Sequence, residues 1–175
     1  GGPPPQLPEG TTDSERRGRA MFDNVPFDRV STRGICNACH SGPMLNRAAA
    51  GNPFGLPPGG LRAGIGVSDR NLMGNPLYTF VVTNHDGSVV VVSDTPDPGA
   101  MLNNPPPSAP PGVPTPPRAF FANFFKILPL WGVKDTAPYF HDNSAKTLED
   151  VAEQYAFFFL TSPSTTGFVF TQQDQ

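Results

Sequence analysis

The 175-residue sequence lacks any apolar run long enough to cross a membrane. Its longest runs, such as Ala156 to Leu160 and Val89 to Val92, fall far short of the roughly 18 residues a spanning helix needs. It also lacks a dense Lys/Arg run. With 12 basic and 15 acidic residues the formal net charge is -3, so nucleic acid is not an expected partner. Large apolar residues are scarce: Leu, Ile, Val and Phe together number 41, just above the range in which a chain cannot bury enough apolar surface to fold. One modest core is expected. Proline and glycine are plentiful instead, at 23 and 18, roughly twice ordinary usage, so much of the chain must be turn and loop. Length and composition fit one domain with long connections.

Cysteine is nearly absent too, and the two that exist stand together in Cys36-Asn37-Ala38-Cys39-His40. This is the C-x-x-C-H signature of c-type haem attachment. The chemistry demands the spacing. Two thiols three positions apart on one turn can each form a thioether to a vinyl group of the same porphyrin, and the adjacent imidazole can serve as proximal iron ligand. A covalent porphyrin would also supply apolar area that a proline-rich chain lacks. Because haem c is attached outside the cytoplasm, the expected location is periplasmic or extracellular. The start, Gly1-Gly2-Pro3-Pro4-Pro5, shows neither a basic nor an apolar leader and reads as a processed or trimmed product.

Three other readings compete for the motif. A zinc site could use both thiolates, His40 and either His85 or His141, although zinc motifs usually show a second paired cluster. A thioredoxin-like pair would open a helix after a strand, whereas this one follows the loop-like Ser31-Thr32-Arg33-Gly34. A disulfide between residues so close would constrain the unfolded chain little.

Residues 1 to 12 read as a Pro/Gly-rich arm, and residues 13 to 175 as a single haem domain. Asp13 or Ser14 can cap a helix from about Glu15 to Phe22. From Gly42 to Pro76 the chain lacks periodicity and predicts irregular structure wrapped around something rigid. Residues 77 to 83 and 88 to 93 are β-branched runs separated by Asn84-His85-Asp86-Gly87, which predicts a hairpin with His85 at its tip, a poor place from which to reach a buried iron. Residues 94 to 119 are crowded with proline, including Pro105-Pro106-Pro107 and Pro116-Pro117, and read as an inserted surface loop. The aromatic block from Phe120 to Phe125 and then Ile127-Leu128-Pro129-Leu130-Trp131 follow, readable as core or as cofactor wall. Thr147-Leu148-Glu149-Asp150 has the form of a capping box. Behind it, apolar residues at 148, 151, 152, 155, 156 and 159 predict an amphipathic helix with Tyr155 on its buried face.

The stretch from Phe125 to Asp150, with Thr136-Ala137-Pro138-Tyr139-Phe140-His141-Asp142-Asn143-Ser144 at its centre, resembles the second haem domain of bacterial dihaem cytochrome c peroxidases and their MauG-type relatives. Ser14 to Phe22 and Cys39-His40-Ser41-Gly42-Pro43 are similar to the same domain. The resemblance implies that Cys36 and Cys39 bind the porphyrin and that His40 is the proximal ligand. It implies that the backbone carbonyls of Thr136 and Pro138 help to bind calcium, a hard cation suited to oxygen. Tyr155 stands where the peroxidases carry a distal Met and MauG-type enzymes a Tyr, which makes it the candidate second iron ligand. A phenolate oxygen there would lower the potential relative to a thioether. Met44, Met73 and Met101 are alternatives. Trp131 replaces the family's usual Arg near a propionate or inter-haem contact, and Asn143 its usual Gly. Family members carry two haem motifs and this chain one, so the sequence, ending at Phe170 to Gln175 in what looks like the start of a further helix, reads as a piece of a larger haem assembly.

These readings lead to a mainly α, cytochrome c-like haem domain with long irregular Pro/Gly-rich loops and one small β-hairpin. The expected function is electron transfer through one covalent haem c, with other haem domains or cytochromes as partners. A peroxide-reducing or MauG-like oxidoreductase would need a second haem and an acid or base such as His141 or Glu149. A structural subunit of a multi-haem assembly is the third class.

Overall fold

A computed structural model describes residues 6–23, 25, 36–46, 62–103 and 114–162. The proline pairs between 105 and 111, the Ser31 to Gly34 approach to the cysteines and the ending after Ser162 lie outside the described residues.

The first helix, α1 (Asp13–Asp23), begins one or two residues earlier than an Asp13 or Ser14 cap implies, because Thr12 caps it. Its hydroxyl accepts from the Glu15 amide (3.2 Å), and the Glu15 carboxylate takes the Thr11 and Thr12 amides at 2.7 and 2.9 Å. This reciprocal pairing satisfies helix-end donors that would otherwise be orphaned. Ala20 and Met21 form its buried stripe. Arg19 pairs with Asp23 at 2.7 Å and donates to the Leu7 carbonyl, which ties residues 6 to 9 to the helix. Asn37 then donates to the Asp23 carbonyl (3.2 Å) and joins the end of α1 to α2 (Cys36–Cys39), a single turn.

The expectation of a mainly α, cytochrome c-like domain is overturned. Among the described residues only α1 and α4 (Leu148–Thr161) exceed one turn. The other helical pieces are α2, α3 (Val67–Arg70) and three 3-10 turns at Gly99–Leu102, Arg118–Phe121 and Val133–Asp135. Two separate two-stranded antiparallel sheets accompany them. The physical reason is the Pro/Gly density, which leaves only two stretches with uninterrupted 3.6-residue periodicity. Strands β1 (Arg62–Ala63) and β4 (Phe125–Lys126) pair Arg62 with Lys126 and Ala63 with Phe125, and two-residue strands leave no alternation to read in the sequence. The hairpin forms from β2 (Tyr78–Thr83) and β3 (Val89–Thr95), with Val82 opposite Val90 facing inward and Val81 opposite Val91 facing out.

The core sits where the hairpin's end meets the proline-rich stretch. Residues 94 to 103 belong to the segment read as a surface insertion, yet they contain Met101, which is fully buried, and Ala100. Gly99 makes this approach workable. It adopts φ +53, and a Cβ there would lie 2.7 Å from the Phe124 amide nitrogen. The Ala100 amide donates to the Phe124 carbonyl at 2.8 Å, and the buried Thr95 hydroxyl donates to Asn123 Oδ1 at 2.8 Å. Arg118 returns from the far side: its amide donates to Asn84 Oδ1 (2.8 Å) and its guanidinium to the Met101 carbonyl (3.1 Å).

Helix α4 opens with a full capping box. The Thr147 hydroxyl accepts from the Asp150 amide, and Asp150 Oδ2 takes the Lys146 and Thr147 amides at 2.8 and 2.9 Å. Its buried face is rotated slightly from the apolar pattern. Leu148 is exposed, while Gln154 is buried because Nε2 donates to the Ile65 carbonyl (2.6 Å) and Oε1 accepts from Arg70 (3.0 Å). Arg70 also pairs with Glu153 and lies over the Phe157 ring at 5.0 Å, so α3 holds α4 by a polar clasp.

Candidate haem site

One turn of α2 places Cys36 and Cys39 three positions apart, on neighbouring points of one helix face. They are not joined in a disulfide, and both are half-buried. The turn continues into His40, whose amide donates to the Cys36 carbonyl at 2.7 Å. A tight turn follows. Leu45, a buried residue at φ 51, donates its amide to the Gly42 carbonyl (3.0 Å), and its own carbonyl swings back to His40 Nδ1 at 2.9 Å.

That contact fixes the chemistry of the imidazole. A carbonyl oxygen can only accept, so Nδ1 carries the proton and, in the neutral ring, Nε2 presents a lone pair. Burial pushes the His40 pKa down, opposed by the Leu45 and Leu128 carbonyls, which favours that neutral form. Nε2 points at α4, and the Tyr155 hydroxyl lies 3.5 Å from it. Burial pushes the Tyr155 phenol well above its ordinary value, and the Cys36 and Cys39 sulfurs push in the same direction. Phe159 packs 6.2 Å from the Tyr155 ring.

A covalent haem fits this donor set. Two thiols share one turn, a lone-pair nitrogen has its other ring nitrogen committed to a carbonyl, and an oxygen faces that nitrogen from the opposite element. If a haem were bound, Cys36, Cys39 and His40 would hold it, Tyr155 would be the nearby candidate oxygen, and it would supply one-electron redox chemistry. The zinc alternative would need His85 or His141 as a further ligand; His141 contacts Ser68, Asp97 and Phe125, and His85 stands exposed at the hairpin tip.

The other candidates from sequence are placed elsewhere. Trp131 comes to the motif: its indole N–H donates to the Pro43 carbonyl at 2.7 Å. His141 stacks on Phe125 (3.7 Å between ring centres), with Nε2 3.3 Å from the Ser68 hydroxyl and 3.5 Å from Asp97 Oδ2. Both contacts use the same ring nitrogen, so His141 is not aligned as a relay between serine and carboxylate. Glu149 lies exposed on the first turn of α4, six residues before Tyr155 and therefore about 120° around the helix from it. Thr136 and Pro138 lie in an exposed loop after the Val133–Asp135 turn, and the Thr136 hydroxyl donates to the Val133 carbonyl at 2.9 Å. His85 is exposed at the hairpin tip. Met44 and Met73 are exposed, and Met101 is core.

Sequence reasoning missed the Leu45 carbonyl, which no residue type announces, and the Gln154–Arg70 clasp that orients α4. Comparison with protein-family models, with curated proteins and with solved structures yields no match for this chain.

Proposed function

We propose that this chain is a c-type haem electron-transfer protein that passes electrons between haems or redox partners. The observation that supports this most directly is the His40 ring, with Nδ1 committed to the Leu45 carbonyl and Nε2 directed at the Tyr155 hydroxyl, immediately after two cysteines on one helical turn. Nδ1–H donation orients the ring and raises the basicity of Nε2, the property a proximal ligand needs. Tyr155 and both cysteines are half-buried, which lowers the water content around the same region and favours small reorganisation on electron transfer.

The likeness of residues 125 to 150 to the second haem domain of dihaem peroxidases is in keeping with redox chemistry, and leaves a peroxidase or MauG-like activity as the second reading. The site geometry favours electron transfer over it. His141 is engaged with Ser68, Asp97 and Phe125, and Glu149 faces away from Tyr155, so neither acid–base candidate lies beside the His40–Tyr155 pair. Redox partners would be other haem domains or cytochromes, in a periplasmic or extracellular setting where haem c is attached. Among the described residues no helix is long and apolar enough to cross a membrane.

The test is the absorption spectrum of the reduced protein in alkaline pyridine, together with the mass of the denatured chain. Thioether-linked haem gives a shifted α-band and a mass increased by one haem. Free thiols at Cys36 and Cys39 in protein matured in a haem c-competent host would defeat the proposal. Steady peroxide turnover with an electron donor would move the assignment to the enzymatic reading.

A further inference from the structure

Leu45 is an unusual residue to find at φ 51. Left-handed backbone is a poor conformation for a bulky side chain, and it persists only where surrounding contacts over-determine it. Here it has a consequence, because the same twist turns the Leu45 carbonyl onto His40 Nδ1. Two contacts hold the turn from within: the Leu45 amide on the Gly42 carbonyl, and burial of the Leu45 side chain, which is 7% exposed. A third comes from 88 residues away. The Trp131 indole N–H donates to the carbonyl of Pro43, in the middle of the turn, at 2.7 Å.

We infer that Trp131 is a positioning residue for the proximal histidine: by holding Pro43 it keeps the strained Gly42–Leu45 turn closed, and thereby keeps the Leu45 carbonyl on His40 Nδ1. This rests on the haem reading above for its redox consequence, but not for its structural one. It gives Trp131 a role other than a propionate or inter-haem contact. Trp131 is 36% exposed, so its ring also packs, and a shape-conserving replacement is needed to separate packing from the hydrogen bond. Without it, the turn can relax Leu45 towards ordinary φ, and the carbonyl leaves Nδ1. The imidazole then loses the acceptor that fixes its tautomer and makes it a strong donor to iron. A weaker donor stabilises ferric iron less, so the potential rises.

The experiment compares the full chain with Trp131→Phe by two readouts. The first is the nitrogen NMR of the His40 ring. With haem bound, iron takes Nε2, so the readout is the Nδ1–H resonance: in the wild type it should show a proton hydrogen-bonded to a carbonyl and slow to exchange with solvent, and in the variant it should shift and exchange faster. The second is the midpoint potential of the bound haem, which should shift to a more positive value in the variant. If Phe at this position compromises folding, incorporation of 3-benzothienylalanine, which keeps the bicyclic shape and replaces N–H with sulfur, should give both shifts in a folded chain. A folded variant lacking the N–H donor, with wild-type Nδ1–H resonance and potential, would overturn the inference. Should the chain carry no haem, the electron-transfer proposal fails by itself, and the ring-nitrogen shifts still decide whether Trp131 positions His40.

Discussion

The hydroxyl of Tyr155 lies 3.5 Å from Nε2 of His40, so two residues 115 positions apart in sequence place an oxygen and a lone-pair nitrogen face to face. Replacing Tyr155 with Phe keeps the ring packed against Phe159 and removes only the oxygen. With haem bound, the expected outcome is a changed ferric absorption spectrum and spin state and a more positive midpoint potential, because an oxygen ligand favours ferric iron. Unchanged ferric spectra in a folded Tyr155→Phe protein would reduce Tyr155 to a packing residue.

His141 offers the complementary test, because sequence proposes it as an acid or base whereas the structure sets it among Ser68, Asp97 and Phe125. Ser68 is buried, and losing its imidazole partner leaves a hydroxyl without that hydrogen bond. His141→Ala should therefore destabilise the fold by about 1–3 kcal/mol, read as a lower denaturant midpoint, while leaving the haem absorption spectrum unchanged. A large fall in peroxide turnover with stability intact would restore the catalytic reading.

The contrast between these residues shows what the sequence could disclose. The single turn carrying Cys36 and Cys39 beside His40 is legible because the three residues are contiguous in sequence, and α4 because its periodicity and the Thr147–Asp150 box agree. The hairpin is legible for the same reason, with a turn signal between two β-branched runs. The mainly α expectation failed because it leaned on the haem motif and the resemblance rather than on periodicity, which supports only two helices of more than one turn. Burial of Met101 inside a proline-rich stretch was hidden because its partners come from a segment some twenty residues on. The Leu45 carbonyl was hidden because every residue has one, and only backbone geometry selects it.

The close approach at Gly99 predicts a steep cost for adding one methyl. Gly99→Ala would place a Cβ 2.7 Å from the Phe124 nitrogen and 2.8 Å from its oxygen, in a backbone conformation at φ +53 that alanine resists. The strain should cost about 1–3 kcal/mol. Met101→Ala, which empties the most buried side-chain position beside it, should cost about 2–5 kcal/mol. Chemical denaturation should show both losses. A Gly99→Ala protein as stable as wild type would mean that the Ala100–Phe124 junction does not hold as described.

Acid should loosen both capped helices. Hydrogen bonds from Thr11 and Thr12 hold the Glu15 carboxyl at about 2, down from its ordinary 4.5. Since the folded value is the lower one, the carboxylate's contribution is present above the unfolded pKa and disappears as pH falls from about 4.5 through about 2. The Asp150 carboxyl is likewise lowered, chiefly by the Lys146 and Thr147 amides, so α4 should follow the same sign. Glu15→Ala should flatten the acid limb of the stability profile without moving the neutral-pH spectrum of the proposed haem, because none of its proposed ligands lies on α1. Thr147→Ala removes the other half of the α4 box at a cost of about 1 kcal/mol and acts on the helix that presents Tyr155. It should therefore perturb the ferric spectrum as well as stability. Identical spectral responses in the two variants would mean that α4 does not present Tyr155 to His40 independently of α1.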